Sequence, residues 1–416
     1  MLQTPKGLRL HIGLFGLRNA GKSSLVNALT NQMISIVSHV PGTTTDPVEK
    51  AYELQPVGPV VFVDTAGIDD VGELGLARVQ RTLQVLEWVD LALIVVQSKP
   101  QLSQQEKQLL EDCQRLATPV VIAVTHVDEL ACPDSLKQEL EQFPFPRVET
   151  RTDQPQSIDS LRHALVSLIN ASREPDRLML EGLVNAGDTV MLVTPIDIGA
   201  PKGRLILPQV QAIRELLDMG VKCLVVQCNE VTNMLEQLKT PPQLVITDSQ
   251  VVLEVARQVP ESIPLTTFSI QLAASKSDSI AMAEGAAQLE QLRDGDRVLI
   301  LETCSHHPQK DDIGRVKIPR WLQEKTGKNL TIEIAVGKDI PDDFTPYKLL
   351  IQCGGCIVTR RHMLARLRHA QRQGVPMTNY GMTISFLQGL LGRVLRCHPA
   401  ALEAYQAKRL VREEAR

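Results

Sequence analysis

Aromatic side chains are scarce in this chain: seven Phe, four Tyr and two Trp among 416 residues, 3% in all. So few rings leave little on which unpaired bases could stack. No basic excess is present either; 44 Lys and Arg against 48 Asp and Glu give a formal charge of −4. That balance argues against a nucleic-acid-binding surface, so no nucleic-acid partner is expected. No apolar run approaches membrane-spanning length, so no membrane partner is expected. Met1 to Lys6 lacks the charged-then-apolar pattern of a secretory leader. The eight cysteines are therefore expected to be free or metal-bound thiols in a reducing, cytoplasmic setting.

What is present is length and alternation. A chain of 416 residues exceeds one core, and hydrophobic content of 43% is ordinary for a globular protein. The expected class is α/β: a P-loop GTPase domain over 1–172, then two further parallel-sheet α/β domains over 173–270 and 271–416.

Leu8 to Phe15 reads as a buried strand running into Gly16-Leu-Arg-Asn-Ala-Gly21-Lys22-Ser23, with a helical pattern from Ser24 to Leu29. This is G-x-x-x-x-G-K-S in its strand–loop–helix setting. The cradle is expected to comprise Gly16, Asn19, Ala20, Gly21, Lys22, Ser23 and Ser24, with backbone N–H groups around the phosphates. Lys22 would reach the β- and γ-phosphates, and Ser23 would ligate Mg²⁺. Asp64-Thr-Ala-Gly67 ends the apolar run Val60 to Val63. Asp64 can hold Mg²⁺ through water, and the Gly67 N–H can sense the γ-phosphate. Pro41 to Asp46 is polar enough for a switch loop.

These residues resemble the TrmE/Era-like group of GTPases. The resemblance puts Thr44 on the metal-binding switch threonine and Asn19 on the residue that ligates K⁺ in potassium-activated members. Ile68 follows Gly67 where Ras-like enzymes place a catalytic glutamine. An apolar side chain there cannot orient water, so slow, potassium-stimulated hydrolysis is expected, with Lys22, Asn19, Thr44 and Gly67 as the catalytic set. Thr125-His126-Val127-Asp128 follows the strand Val120 to Val124 where the group has N-K-x-D. Asp128 keeps the carboxylate that meets guanine's ring donors, so GTP is the expected nucleotide, with Thr125 beside it. His126 reads equally as a loop residue or a base contact.

From Asp188 onward strands and helices alternate, the pattern of parallel sheets. The strand Thr189 to Val193, a helix from Pro208 to Met219, and strands at 221–226, 244–246 and 265–268 carry no evident chemistry. They read as a docking or dimerisation domain. Cys223 and Cys228 read as core thiols, and Cys113, Cys132 and Cys397 as surface or core thiols.

The last third is different. The apolar run Lys348 to Gln352 ends in Cys353-Gly-Gly-Cys356, and Arg297 to Thr303 ends in Cys304-Ser-His306-His307. Both thiol sets would sit past the carboxyl ends of parallel strands, where open α/β sheets bind ligands. A C-x-x-C alone suits a redox dithiol, half of a zinc site, an iron–sulfur cluster, or no site at all. A basic loop is expected from Lys310 to Arg320, a basic helix from Thr359 to Arg372, and an apolar helix from Met382 to Leu395. The tail Lys408 to Arg416 reads as a solvated charge run.

With all three parts placed, Thr194-Pro-Ile-Asp-Ile-Gly-Ala-Pro-Lys-Gly-Arg204, Pro264 to Ser269, Cys304-Ser-His-His-Pro308, Asp311 to Arg315, Cys353 to Cys356 and Thr378 to Gly381 resemble the HydF family of [FeFe]-hydrogenase maturation GTPases. The resemblance implies a [4Fe-4S] cluster on Cys304, Cys353 and Cys356, with His306 as the best fourth ligand and His307 and Glu302 behind it. It also implies a homodimeric scaffold that receives a two-iron precursor from radical-SAM maturases and passes it to apo-[FeFe]-hydrogenase. This chain departs at Gln352, where the family usually has His; a glutamine amide is a poor iron ligand. The rival readings are an RNA-modification or ribosome-assembly GTPase and a thiol- or zinc-regulated nucleotide switch.

Overall fold

The computed structural model describes residues 7, 9–30, 48–69, 73–172, 177–196, 205–303, 312–337 and 340–413. Two compact units follow each other along the chain, Met1–Pro175 and Asp176–Arg416.

The first unit is built on β1 (Leu10–Gly16), β2 (Val48–Leu54), β3 (Gly58–Asp64), β4 (Leu91–Gln97), β5 (Val120–Thr125) and β6 (Arg147–Glu149). They form one sheet in the order β2-β3-β1-β4-β5-β6. Only β2 runs antiparallel to its neighbour. It is the edge strand, and its burial alternates as a strand with one wet face requires. β1, β4 and β5 are buried almost throughout, because helices cover both sides of a parallel sheet. One apolar layer gathers Phe15, Val63, Ile94 and Leu110; the other gathers Leu14, Leu25, Val60 and Leu161.

The second unit carries two all-parallel sheets. One contains β7 (Thr189–Val193), β8 (Lys222–Val226), β9 (Leu244–Thr247) and β10 (Leu265–Thr267). The other contains β11 (Arg297–Glu302), β12 (Thr331–Val336), β13 (Leu349–Gln352) and β14 (Met377–Asn379). Their orders, β10-β9-β7-β8 and β12-β11-β13-β14, are the same when counted within each sheet: second, first, third, fourth. The likeness extends to single hydrogen bonds. Asn185-Ala-Gly-Asp188 and Arg293-Asp-Gly-Asp296 both turn into the first strand through a left-handed glycine, with φ of 89° at Gly187 and 84° at Gly295. In each turn the aspartate Oδ2 accepts from the N–H three residues back, at 2.7 Å and 2.8 Å. Pro264-Leu-Thr-Thr-Phe268 and Pro376-Met-Thr-Asn-Tyr380 form the two fourth strands. Each ends in a residue that caps the next helix, Thr267 toward the Ile270 N–H and Asn379 toward that of Met382. The second unit is thus one supersecondary plan used twice, and G-D-x-V and P-x-T are its traces in the sequence.

Three segments differ from the expected pattern. The stretch Lys310 to Arg320 is not wholly loop: Asp312 accepts from the Gly314 and Arg315 N–H groups at 2.9 Å and starts a wide turn, Ile313–Lys317, that passes into the helix Ile318–Thr326. The helix expected from Met382 to Leu395 is instead Tyr380–Leu387 followed by a short turn, Leu391–Val394. Gly389, at φ 75°, stops it: the Leu390 N–H returns to the Ser385 carbonyl at 2.8 Å, a Schellman closure. Of the charged tail, Lys408 to Glu413 continue the helix Pro399–Glu413, where Arg409 pairs with Glu290 at 2.8 Å. Among the described residues no helix is long and apolar enough to cross a membrane.

Candidate functional site

Two places gather chemistry, one in each unit. In the first, β1 delivers the chain to Gly16, where a Cβ would lie 2.3 Å from the Val95 carbonyl oxygen; only glycine passes. The loop then takes two left-handed residues, Asn19 at φ 59° and Gly21 at φ 88°, before the helix Lys22–Thr30 begins. Such a sequence of conformations turns successive N–H groups toward one concavity. Lys22, 9% exposed, lays its ammonium across this loop and donates to the Gly16 and Leu17 carbonyls at 3.0 Å and 2.7 Å.

The end of β3 closes over the same loop. Asp64 is hydrogen-bonded to Ser23; burial pushes its carboxyl above the usual range, against the opposing charges of Lys22 and Lys50. The Ile68 N–H reaches the Gly16 carbonyl at 3.3 Å, and the Arg18 N–H donates to Asp69 Oδ1 at 2.7 Å. A side chain at Gly67 would collide with Arg18, 2.4 Å from its Cγ. Ile68 itself is in the apolar layer with Phe15 and Val85. Thr44 lies outside the described residues.

At the end of β5, Thr125 is buried and its hydroxyl donates to the Ala20 carbonyl at 2.7 Å, tying this strand to the P-loop. His126 holds a left-handed conformation, φ 57°, with Nδ1 3.2 Å from Glu129 Oε1. Asp128 is exposed beyond it. Thr150 is anchored beneath by its N–H to the Val124 carbonyl at 2.8 Å. The structure thus brings Gly16, Asn19, Ala20, Gly21, Lys22, Ser23, Ser24, Asp64, Gly67, Thr125 and Asp128 to the carboxyl end of the parallel strands of one sheet.

The second place lies at the carboxyl ends of β11, β13 and β14. The Cys353 N–H continues the ladder to the Leu301 carbonyl at 2.9 Å, so the turn springs directly from the sheet. Gly355 is left-handed at φ 62°, and a Cβ there would meet Met363 Sδ at 2.8 Å. The Cys353 sulfur lies 3.3 Å from the Thr303 N–H nitrogen, 3.2 Å from the Thr303 hydroxyl and 3.4 Å from Gln352 Nε2. Gln352 is completely buried; its amide nitrogen also reaches the Leu301 and Cys353 carbonyls, and its Oε1 accepts from Arg366 at 2.7 Å.

Two cations stand under this turn. Lys276, 5% exposed, donates to the Gly355 and Val358 carbonyls at 2.9 Å and 2.8 Å. Burial pulls its ammonium down to about 8, with the Cys356 and Cys353 sulfurs pulling the other way. Arg366 is likewise desolvated and brought down to about 10, opposed by Cys353. Glu302, considered above as a reserve iron ligand, is already engaged. Its Oε2 accepts twice from Arg315, at 3.1 Å and 3.0 Å, and its Oε1 from the Tyr380 hydroxyl at 3.4 Å. Burial, reinforced by Cys353 and Glu302, pushes the Tyr380 phenol well above its usual range.

Cys304, His306 and His307 lie outside the described residues, so the described part of this site contributes two thiols. Among the described residues no group of three or more His, Cys, Asp or Glu side chains could hold a metal ion. The donor set present, two thiols on a Gly-Gly turn with N–H donors aimed at one sulfur and two buried cations beneath, suits a thiolate-held anionic group. Of the other described cysteines, Cys113 and Cys132 are buried in the first unit's core, whereas Cys223, Cys228 and Cys397 are half-buried, and burial pushes Cys397 up to about 11. Lys276, Arg366 and Thr303 were not anticipated as site residues. A lysine closing an otherwise apolar helix, Phe268–Lys276, was the available signal for the first; no local pattern marks Arg366 within its basic helix.

Comparison with known proteins matches three successive stretches of the chain. Residues 11–126 match the 50S ribosome-binding GTPase family, 179–277 the hydrogen maturase F dimerization domain, and 280–397 the hydrogen maturase F tetramerization domain. Among curated relatives, the tRNA modification GTPase MnmE of Natranaerobius thermophilus is 32% identical over 160 residues, 38% of this chain and 34% of that one. The GTPase Der of Campylobacter concisus is 38% identical over 124 residues, 29% of this chain and 26% of that one. The chain therefore spans only about a third of the length of the curated relatives it matches. Among solved structures, Aquifex aeolicus Era covers 52% of this chain and 92% of its own, at 18% identity and a TM-score of 0.33. The G domain of the T. maritima FeoB iron transporter covers 38% and 98%, at 24% identity and a TM-score of 0.30.

Proposed function

The chain belongs to the hydrogen maturase F family, with a GTPase domain preceding the family's dimerization and tetramerization domains, and from that premise we propose that it is a GTP-hydrolysing iron–sulfur scaffold for hydrogenase assembly. In the first unit the N–H groups of Asn19 to Ser24 cradle the phosphates of GTP, and the Lys22 ammonium moves from its loop carbonyls onto them. Ser23 and Asp64, already hydrogen-bonded to one another, hold Mg²⁺, the aspartate through water, and Thr44 completes the metal's shell from the switch loop. With Ile68 committed to the core, no side chain at that position orients water. Hydrolysis is slow and depends on K⁺ held by Asn19. Asp128 reads the base, and Thr125 takes over the tie between this strand and the P-loop.

In the second unit Cys353 and Cys356, with Cys304, hold a [4Fe-4S] cluster. When bound, that group offers an iron on which a two-iron precursor can be received from radical-SAM maturases and released to apo-[FeFe]-hydrogenase. The observation that carries this reading is the cysteine turn of a maturase domain built over two buried cations and three donors to one sulfur. GTP binding acts as a switch on the partner-binding state of a homo-oligomer.

Anaerobic reconstitution tests it. The wild-type chain should take up iron and sulfide in equal amounts, and Cys304→Ser, Cys353→Ser or Cys356→Ser should abolish uptake while GTP turnover persists. Uptake of iron by all three variants, or zinc alone in the wild type, refutes it. Turnover that is equal in sodium and potassium refutes the cation's role at Asn19.

A further inference from the structure

Gln352, expected to be a poor iron ligand, stands directly before Cys353, and the structure shows what the glutamine does. Arg366 fixes it. The guanidinium donates to Oε1 at 2.7 Å, so that end of the amide must be the oxygen; the flipped amide would set its own N–H donors against a cation. The nitrogen is thereby directed the other way, to 3.2 Å from the Leu301 carbonyl and 3.4 Å from the Cys353 sulfur. Thr303 approaches the same sulfur from β11 with its N–H and its hydroxyl. A thiolate carries no proton, so toward it both Thr303 groups must donate. Gln352 has no exposed surface, and hydrogen bonds in such a setting are electrostatically strong.

Resting on the cluster reading above, we propose that Gln352 and Arg366 act as one positioning pair that delivers an N–H to the Cys353 sulfur and holds a cation behind it, raising the reduction potential of the group that sulfur binds. The physical reason is direct. A one-electron reduction adds charge that spreads over the sulfurs, and N–H···S bonds and a nearby cation stabilise the reduced form more than the oxidised one. Thr303 supplies the same kind of bond independently of Arg366.

The experiment is a potentiometric titration of the reconstituted full-length chain, with dithionite as reductant and visible absorption and electron paramagnetic resonance as readouts. Gln352→Leu keeps the volume and removes the donor; Arg366→Met removes the cation and frees the amide. Each should move the midpoint potential negative by about a tenfold change in the oxidised-to-reduced ratio, about 59 mV for a one-electron couple. The double variant should shift by less than the sum, since Arg366 acts partly through Gln352. Unmoved potentials at wild-type iron content, or fully additive shifts, overturn the pairing. Should Gln352→Leu fail to hold iron, Arg366→Met tests the pairing by itself: a negative shift supports it, and an unchanged potential overturns it. A wild-type chain that takes up no iron refutes the cluster reading, a result distinct from iron-loaded variants whose potentials stay put.

Discussion

The two sheets of the second unit share strand order, entry turn and helix cap, yet among the described residues only one of them gathers buried cations and a pair of thiols at its carboxyl edge. Their third strands show why. β9 ends at Thr247, and Asp248 at once caps a helical turn through the Gln250 N–H at 3.0 Å. β13 ends at Gln352, and the next helix waits until Arg360. The extra residues are the Cys-Gly-Gly-Cys turn and its exit. Seven residues, Cys353 to Thr359, lie between strand and helix here, against Asp248 alone in the other sheet, and they make a site of what is otherwise a tight corner. The scaffold is common to both; the chemistry comes from the insertion and from the cations placed below it.

The largest test of that contrast is Lys276→Met. It strips the cysteine turn of its buried donor and leaves the Gly355 and Val358 carbonyls without that partner, and should cost about 3 kcal/mol in urea unfolding of the metal-free chain. Thr266→Val, which removes a buried hydroxyl bonded to Gln271 at the other sheet, should cost only about 1 kcal/mol. Equal losses would mean that the turn is no special structure. Next come the paired entry turns. Asp188→Ala and Asp296→Ala each remove one cap-like bond and should lower stability alike, by about 1 kcal/mol; a difference of twice that in thermal denaturation would break the equivalence of the repeats.

A smaller effect separates the sheets by pH. Glu215, on the helix Leu207–Asp218 of the first sheet, accepts from the Met179 N–H at 2.8 Å, and burial pushes its carboxyl above the ordinary range. A carboxyl raised in the folded state binds protons more tightly there than in the unfolded chain. Its contribution is fully present below the unfolded value of about 4.5 and is lost as pH rises through the raised folded value. Glu215→Gln should flatten that fall in a series of unfolding curves; an unchanged pH dependence would contradict it. The smallest expected effect is none. Asp248→Cys places a thiol just past β9, where Cys353 stands past β13, yet without the glycine turn and its cations iron uptake should not rise above the wild-type value.

How much of this could be read beforehand follows the span of each feature in the chain. The P-loop was legible because it is contiguous and works through its own backbone: Gly16 and Gly21 are required by conformation, and Lys22 and Ser23 follow at fixed offsets. Ile68 as a core residue could also be anticipated from its type. That Thr125, standing for an asparagine, still reaches the P-loop through its hydroxyl could not, since 105 residues separate it from Ala20. The stop at Gly389 and the turn started by Asp312 were misjudged because local caps overrode an unbroken apolar or basic pattern. The repeat left only G-D-x-V and P-x-T as marks, too short to notice without the matching hydrogen bonds.

By itself the amino-acid order determined most of the elements, the largely parallel class of the sheets and the placing of the P-loop and the Cys-Gly-Gly-Cys turn at strand ends, because periodicity, glycine and proline act over a few residues. Tertiary structure alone decided which groups meet: Lys276 beneath a turn 79 residues away, Glu302 claimed by Arg315 and Tyr380, Gln352 pinned by Arg366. Those contacts depend on the closure of whole strands and helices around a low-dielectric interior. There a charge or an amide must find a partner, and no short stretch of sequence says which one it will be.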